Sequence, residues 1–255
     1  MISEKTLYFG VDPASVEKDF SYAVLDNNLN LIELADADIS ELITLLDEGD
    51  SAFVAVNAPL QVNLGLVKQK LEEESPNLSH SLRGVDIRLA EYELREHGIT
   101  VTGTPSHEEY CPAWMRAGFA LYQELSNIGF TFYGKEDAKR QVLETQPYAC
   151  FCALLGGTPL SKPTLEGRLQ RQLLLNDKGL RINDAMEFFE EITRFKLMKG
   201  ILPTDVLYSP EKLDVLVAAY LAWLVGNQPD EVIRIGDQKE GQVVLPAKEL
   251  ENKYE

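Results

Sequence analysis

The chain has 255 residues, 45% hydrophobic and 25% charged, and a formal net charge of −17. That supply of apolar residues is enough for a full core, which argues against extensive disorder, and the length suits one large domain or two small ones. Three cysteines and three histidines cannot build a disulfide-dense framework and show no zinc-ligand spacing.

The amino terminus, MISEKTLYFGVD, reaches an acid before any apolar stretch long enough for a secretory signal. The longest apolar run, Val215 to Val225, falls short of the roughly 20 residues that cross a bilayer. The expectation is a soluble, cytoplasmic protein with no membrane partner. Its acidity repels phosphate backbones at long range and disfavours nonspecific binding to long duplex DNA.

Residues 6–12 (TLYFGVD) form an apolar run that ends in an acid and meets turn chemistry at Pro13-Ala14-Ser15. Runs at 20–26 and 30–34 flank Asn27-Asn28, so the three together predict an antiparallel meander. In 38–48, Ile39, Leu42, Ile43 and Leu46 fall at helical spacing behind Asp38 or Ser40 as N-cap, and Gly49 ends the helix. The uninterrupted run 51–56 predicts a strand covered on both faces. The first 60 residues therefore read as strand, strand, strand, helix, strand, an α/β pattern with a mixed sheet flanked by helices.

From about 61 to 140 the pattern is mainly helical, with helices at 67–74, 86–96 and 113–126, loops at Ser75-Pro76-Asn77 and Gly103 to Ser106, and the character of an insertion or cap. A strand returns at 140–144. Helices follow at about 147–155, 164–175, 183–199 and 210–225, and a hairpin at 231–235 and 243–245. The whole reads as one domain over 1–255. Cys150 and Cys152 read as two small residues sharing one face of a strand or turn.

Three acids stand out by position. Asp12 ends a strand at its carboxyl edge, where the crevices of α/β sheets hold ligands, although Asp before Pro also makes an ordinary turn. Glu144 ends the run Val142-Leu143 in the same way, before Thr145-Gln146-Pro147. Asp214 follows Ser209 as N-cap and Pro210 as first helical residue. A helix dipole favours such an acid, but steps of four and three carry the same face through Ala218, Leu221 and Val225, an apolar stripe. A carboxylate buried there needs a cation, hydrogen bonds or a raised pKa.

If Asp12, Glu144 and Asp214 converge, their repulsion is relieved by a hard divalent cation, magnesium or manganese. Asn57, closing the strand 51–56, sits where it could add a neutral oxygen. Two such ions can stabilise both the attacking and the leaving oxygens of a phosphodiester displacement. Lys162, Arg168 and Arg171 lie in SKPTLEGRLQRQLLL, and Arg83, Arg88 and Arg95 in RGVDIRLAEYELREHG, where Glu91 can pair with Arg88 and Arg95 on a helix surface. Lys162 and Arg168, with Arg88, are the candidates to bind substrate. Trp114, Phe119 and Tyr122 read as core in preference to a base-stacking platform.

In order and spacing, FGVDPA, VAVNAPL, IRLAEYELREHGI followed by TGTPS, WMRAGFALYQEL, ETQPYACFCALLG, SKPTLEGRLQRQLLL and KLDVLVAAYLAWL span nearly the whole chain. In these segments it resembles the predicted-nuclease family with a ribonuclease H-like fold, the domain of unknown function 429 family. The resemblance implies a ribonuclease H-like core with a helical insertion. It also implies a metal-dependent phosphodiesterase site in which Asp12, Glu144 and Asp214 are catalytic and hold Mg or Mn. The strand before the Ala-Pro dipeptide commonly ends in Asp in that family, and here Asn57 stands in its place, which weakens a second metal site.

Three functions remain open from sequence. The first is a Mg- or Mn-dependent nuclease acting on short, single-stranded or structured nucleic acid. The second is a binding or scaffold module that keeps the fold without turnover. The third is an ATP-handling enzyme, against which Asp12-Pro13 lacks the following glycine of the expected phosphate loop.

Overall fold

The computed structural model describes residues 6–13, 20–74, 86–134 and 138–254. The loop Ser75-Pro76-Asn77, the turn residues Ala14 and Ser15, and Arg83 lie outside them. An eight-stranded mixed sheet forms the centre, with the order β3-β2-β1-β4-β6-β8-β7 and β5 paired to β6 off this path. Strands β1 (Thr6–Asp12), β2 (Phe20–Leu25) and β3 (Leu31–Ala37) make the antiparallel meander. β4 (Ser51–Val56) returns parallel to β1, and β6 (Arg140–Thr145) parallel to β4.

β5 (Thr131–Phe132) runs parallel to the first half of β6, while β8 (Val243–Leu245) runs parallel to its end. β7 (Ile233–Ile235) closes the expected hairpin with β8. β5 was not expected, because two residues carry no periodicity to read.

Helix α1 (Ile39–Asp47) starts at Asp38, not Ser40. The Asp38 carboxylate accepts from the Ser40 and Glu41 amides while Glu41 reaches back to the Asp38 amide, a reciprocal cap that satisfies orphan donors. Helices α2 (Leu66–Glu74), α3 (Leu89–Glu96) and α4 (Ala113–Asn127) fill the stretch after β4. α5 (Pro147–Leu155) follows β6 directly and carries Cys150 and Cys152, both fully buried, so these sit on a helix and not on a strand or turn.

α6 (Leu165–Asp177) comes next. The single helix expected over 183–199 is two short ones, α7 (Glu187–Glu191) and α8 (Arg194–Met198). The break has a local cause: Thr193 is extended and its hydroxyl accepts from the Lys196 amide, an N-cap that starts a new helix. The periodicity runs through the break and so concealed it.

α9 (Pro210–Asn227) is the central helix, packed on β1, β2 and β4. Asp214, Ala218, Leu221 and Val225 are all buried, as the stripe requires. One glycine sets how close it lies: a Cβ on Gly10 would sit 2.0 Å from the Val215 carbonyl oxygen and 2.3 Å from the Ala219 amide nitrogen. β1 and α9 meet backbone to backbone there, two residues before Asp12 and next to Asp214. Tyr8, Ala55 and Leu143 share the core with α9, whereas Phe9, Val11, Val56 and Val142 face the opposite core with α1 and α4. No helix among the described residues is long and apolar enough to cross a membrane.

Candidate functional site

The alternation of a strand decides which acids can meet. Asp12 follows Tyr8 and Gly10 on the α9 face, where Asp214 descends from the helix. Val11, Val56 and Glu144 stand in one row of the register, and Val11 and Val56 belong to the opposite core. Glu144 therefore points away from Asp12. The β6 residue that follows Glu144, Thr145, turns to the α9 side as Leu143 does, and its hydroxyl is bonded to the Val244 carbonyl and the Cys150 sulfur.

Asp12 and Asp214 line one cavity of about 230 Å³. Asn57 fixes the first of them, its Nδ2 donating to Asp12 Oδ1 at 3.1 Å. Lys162 pairs with the Asp214 carboxylate. Burial, and then the neighbouring Asp214 charge, push the Asp12 carboxyl up to about 7. Burial also raises Asp214, and Lys162 opposes that rise. The two acids thus compete to stay ionised, and the lysine relieves only part of the conflict.

The Lys162 side chain is 41% exposed and the Asp214 side chain 9% exposed, so the lysine opens to solvent while the carboxylate is enclosed. α6 holds the lysine's segment close: a Cβ on Gly167 would lie 2.0 Å from the Ser161 carbonyl oxygen. One turn further along α6, Arg171 is buried yet lines the cavity. Its Nη1 donates to the Leu160 and Gly167 carbonyls at 2.8 and 2.9 Å, and its guanidinium lies 5.2 Å from the Phe151 ring centre. Trp114, half-buried, and Gln146, whose side chain also caps α5, complete the wall with Thr102 and Tyr148.

Glu144 belongs to a different cluster. Its two oxygens accept from the Arg88 guanidinium, and Oε2 also accepts from the Leu60 amide at 2.8 Å. Arg88 Nε donates to Glu91 at 3.0 Å, and Glu91 accepts further from the Thr104 amide and hydroxyl. Glu240, wholly buried, accepts from the Leu64 and Leu89 amides at 2.7 Å. A larger cavity of about 410 Å³ touches Glu144, but both carboxylate oxygens already accept from these donors.

Several expectations are corrected by this geometry. Glu144 does not join Asp12 and Asp214, and among the described residues no group of three His, Cys, Asp or Glu is placed to hold a metal ion. Arg88 is 2% exposed with its donors committed, so it braces the interior; it does pair with Glu91 as expected, but buried and not on the helix surface. Arg168 donates to the carbonyls of Tyr208, Leu207 and Thr204, clamping the segment that leads into α9. Its neighbour Arg171 takes the place in the cavity. Trp114 is both core edge and cavity wall. Asp214 lies beyond the first turn of α9, where Glu211 sits instead.

The residues on this wall that could hold a hard cation are Asp12, Asp214 and Asn57. Asp12 and Asp214 supply two carboxylates, and Asn57, donating through Nδ2, leaves its carbonyl oxygen to offer. A second ion finds no further carboxylate on this wall of the cavity.

Fold and site together define an α/β protein with a mixed sheet and a buried acid pair on a cavity also lined by Lys162 and Arg171. The chain belongs to the DUF429 family, described as protein of unknown function (DUF429), whose profile matches residues 10–240. No curated protein and no solved structure matched it.

Proposed function

We propose that this protein is a ribonuclease H-like, divalent-cation-dependent phosphodiesterase acting on nucleic acid, with Asp12 and Asp214 as the essential carboxylates. The observation that carries the reading is the buried pair itself: two acids on one cavity, each with a raised pKa, beside Lys162 and Arg171. The strand order β3-β2-β1-β4-β6, reversed only at β2, accords with the ribonuclease H-like core that the family resemblance implies.

Asp12, Asp214 and the Asn57 carbonyl would hold a magnesium or manganese ion, which when bound supplies Lewis-acid charge stabilisation for phosphoryl transfer. Lys162 turns from Asp214 toward a phosphate oxygen, as its exposure permits. Arg171 supplies a second, fixed positive charge at the cavity wall. Asn57 holds the Asp12 carboxylate in one orientation. The net charge of −17 favours a short, single-stranded or structured strand over long duplex.

The test is cleavage of DNA and RNA panels with Mg²⁺ or Mn²⁺ and with chelator. Cation-dependent cleavage that Asp12→Asn abolishes is expected, and cleavage that survives Asp12→Asn overturns the assignment. The capture of Glu144 by Arg88 favours one second reading, a module that binds a cation and an oligonucleotide without turnover. Binding with no cleavage of any panel member selects it.

A further inference from the structure

Twelve large hydrophobic side chains are exposed among the described residues, and seven of them lie between Met186 and Leu202. Phe195 is 68% exposed and Met198 77%. Below them, Phe188 packs with Leu169, Ala185 and Leu207 into a small core of its own, so α7 is anchored there, while α8 buries none of its residues. Soluble monomers rarely leave so concentrated an apolar patch in water.

Charge is sorted across the patch. Residues 184–191 carry Asp184, Glu187, Glu190 and Glu191 and no base, whereas residues 194–202 carry Arg194, Lys196 and Lys199 and no acid. Of these, Lys196 is engaged within the chain, 3.0 Å from Glu191. Asp184, Glu187, Glu190, Arg194 and Lys199 are exposed. A surface with an acidic half and a basic half around an apolar centre is complementary to itself after a half-turn. In a two-fold contact, residue i meets j while j meets i. An anionic lipid surface would match α8 but would repel the four acids beside it, whereas a second copy sets acids against bases at the contact itself, where complementary potentials fix register.

We propose that residues 184–202 are the self-association face of this protein. Two copies meet about a two-fold axis, with α7 of each against α8 of the other, Phe195 and Met198 at the centre, and Glu187 and Glu190 opposite Arg194 and Lys199.

The test is sedimentation of the full chain across a wide concentration range. A species of twice the 28.6 kDa chain mass is expected. Phe195→Glu should raise its dissociation constant by roughly 30-fold, as loss of a central aromatic anchor does. Two charge-reversed variants give the sharper reading, Glu187→Lys with Glu190→Lys and Arg194→Glu with Lys199→Glu. Each alone should stay monomeric, and an equal mixture should dimerise, because both α7–α8 contacts are then opposite in sign. Circular dichroism of each variant, matching wild type, establishes that it is folded. A wild-type chain that stays monomeric throughout, a dimer indifferent to Phe195→Glu, or reversed variants that fail to pair on mixing would overturn the proposal. So would monomers that float with anionic vesicles, which would assign the face to lipid.

Discussion

The Asp12–Asp214 pair and the Glu144–Arg88 cluster are both built from acids at or near the carboxyl ends of the same sheet, and they have opposite characters. Around Glu144, each carboxylate oxygen accepts a donor, and the Arg88 guanidinium is closed in by Glu91, Glu144 and the Glu240 carbonyl. Around Asp12, among the described residues, the carboxyl accepts from the Asn57 amide and lies near both the like-charged Asp214 and the Lys162 ammonium. The first arrangement spends its charge on holding distant segments together. The second keeps two buried, mutually repelling acids facing a cavity. Position in the sheet is the same for both; what separates brace from site is which side of the strand the acid faces and how fully it is answered.

The difference can be broken most severely at Arg88. Arg88→Met strands Glu91 and Glu144 without their cation in the interior, so urea unfolding should show a loss of about 3–5 kcal/mol. Gly10→Ala is expected to come next. Its methyl group would displace α9 from β1, costing about 3 kcal/mol and separating Asp214 from Asp12, so cation binding should fall with stability.

The acid pair should respond in the other direction. The Asp12 pKa is raised from 3.8 to about 7, so between those values the folded chain holds a proton that the unfolded chain has lost. Stability therefore falls as pH climbs through that window. Asp12→Asn should stabilise the cation-free chain by roughly 1–2 kcal/mol at pH 8 and by little near pH 4, read as melting temperature against pH. A wild-type chain whose melting temperature does not depend on pH across this range would show that the pair is not in conflict. The smallest stability effect is expected for Lys162→Met, under about 1 kcal/mol, because the lysine is partly exposed. The same change should weaken oligonucleotide binding.

Much of this architecture could be read from residue order. The meander, β4, α9 and the 231–245 hairpin rest on strong local periodicity and on turn residues, and Asp214 betrayed itself as a charge on an apolar stripe. The contact between Arg88 and Glu144 could not be read, because 56 residues separate them and nothing local marks the pairing. Glu144 was misjudged for a simpler reason: being near a strand end says nothing about the face until the register with Val11 and Val56 is known. Arg168 and Arg171 lie three apart on α6, and the side facing the cavity is fixed by how Gly167 packs on Ser161, a tertiary fact. Gln146, Thr102 and Tyr148 carried no charge pattern to single them out.

Calorimetric titration with Mn²⁺ tests the central claim most directly, comparing wild type with Asp12→Asn, Asp214→Asn and Glu144→Gln, each verified as folded. One ion per chain is expected for wild type and for Glu144→Gln, with binding lost in both aspartate variants. Binding that persists in Asp214→Asn, or that vanishes only in Glu144→Gln, would contradict the account.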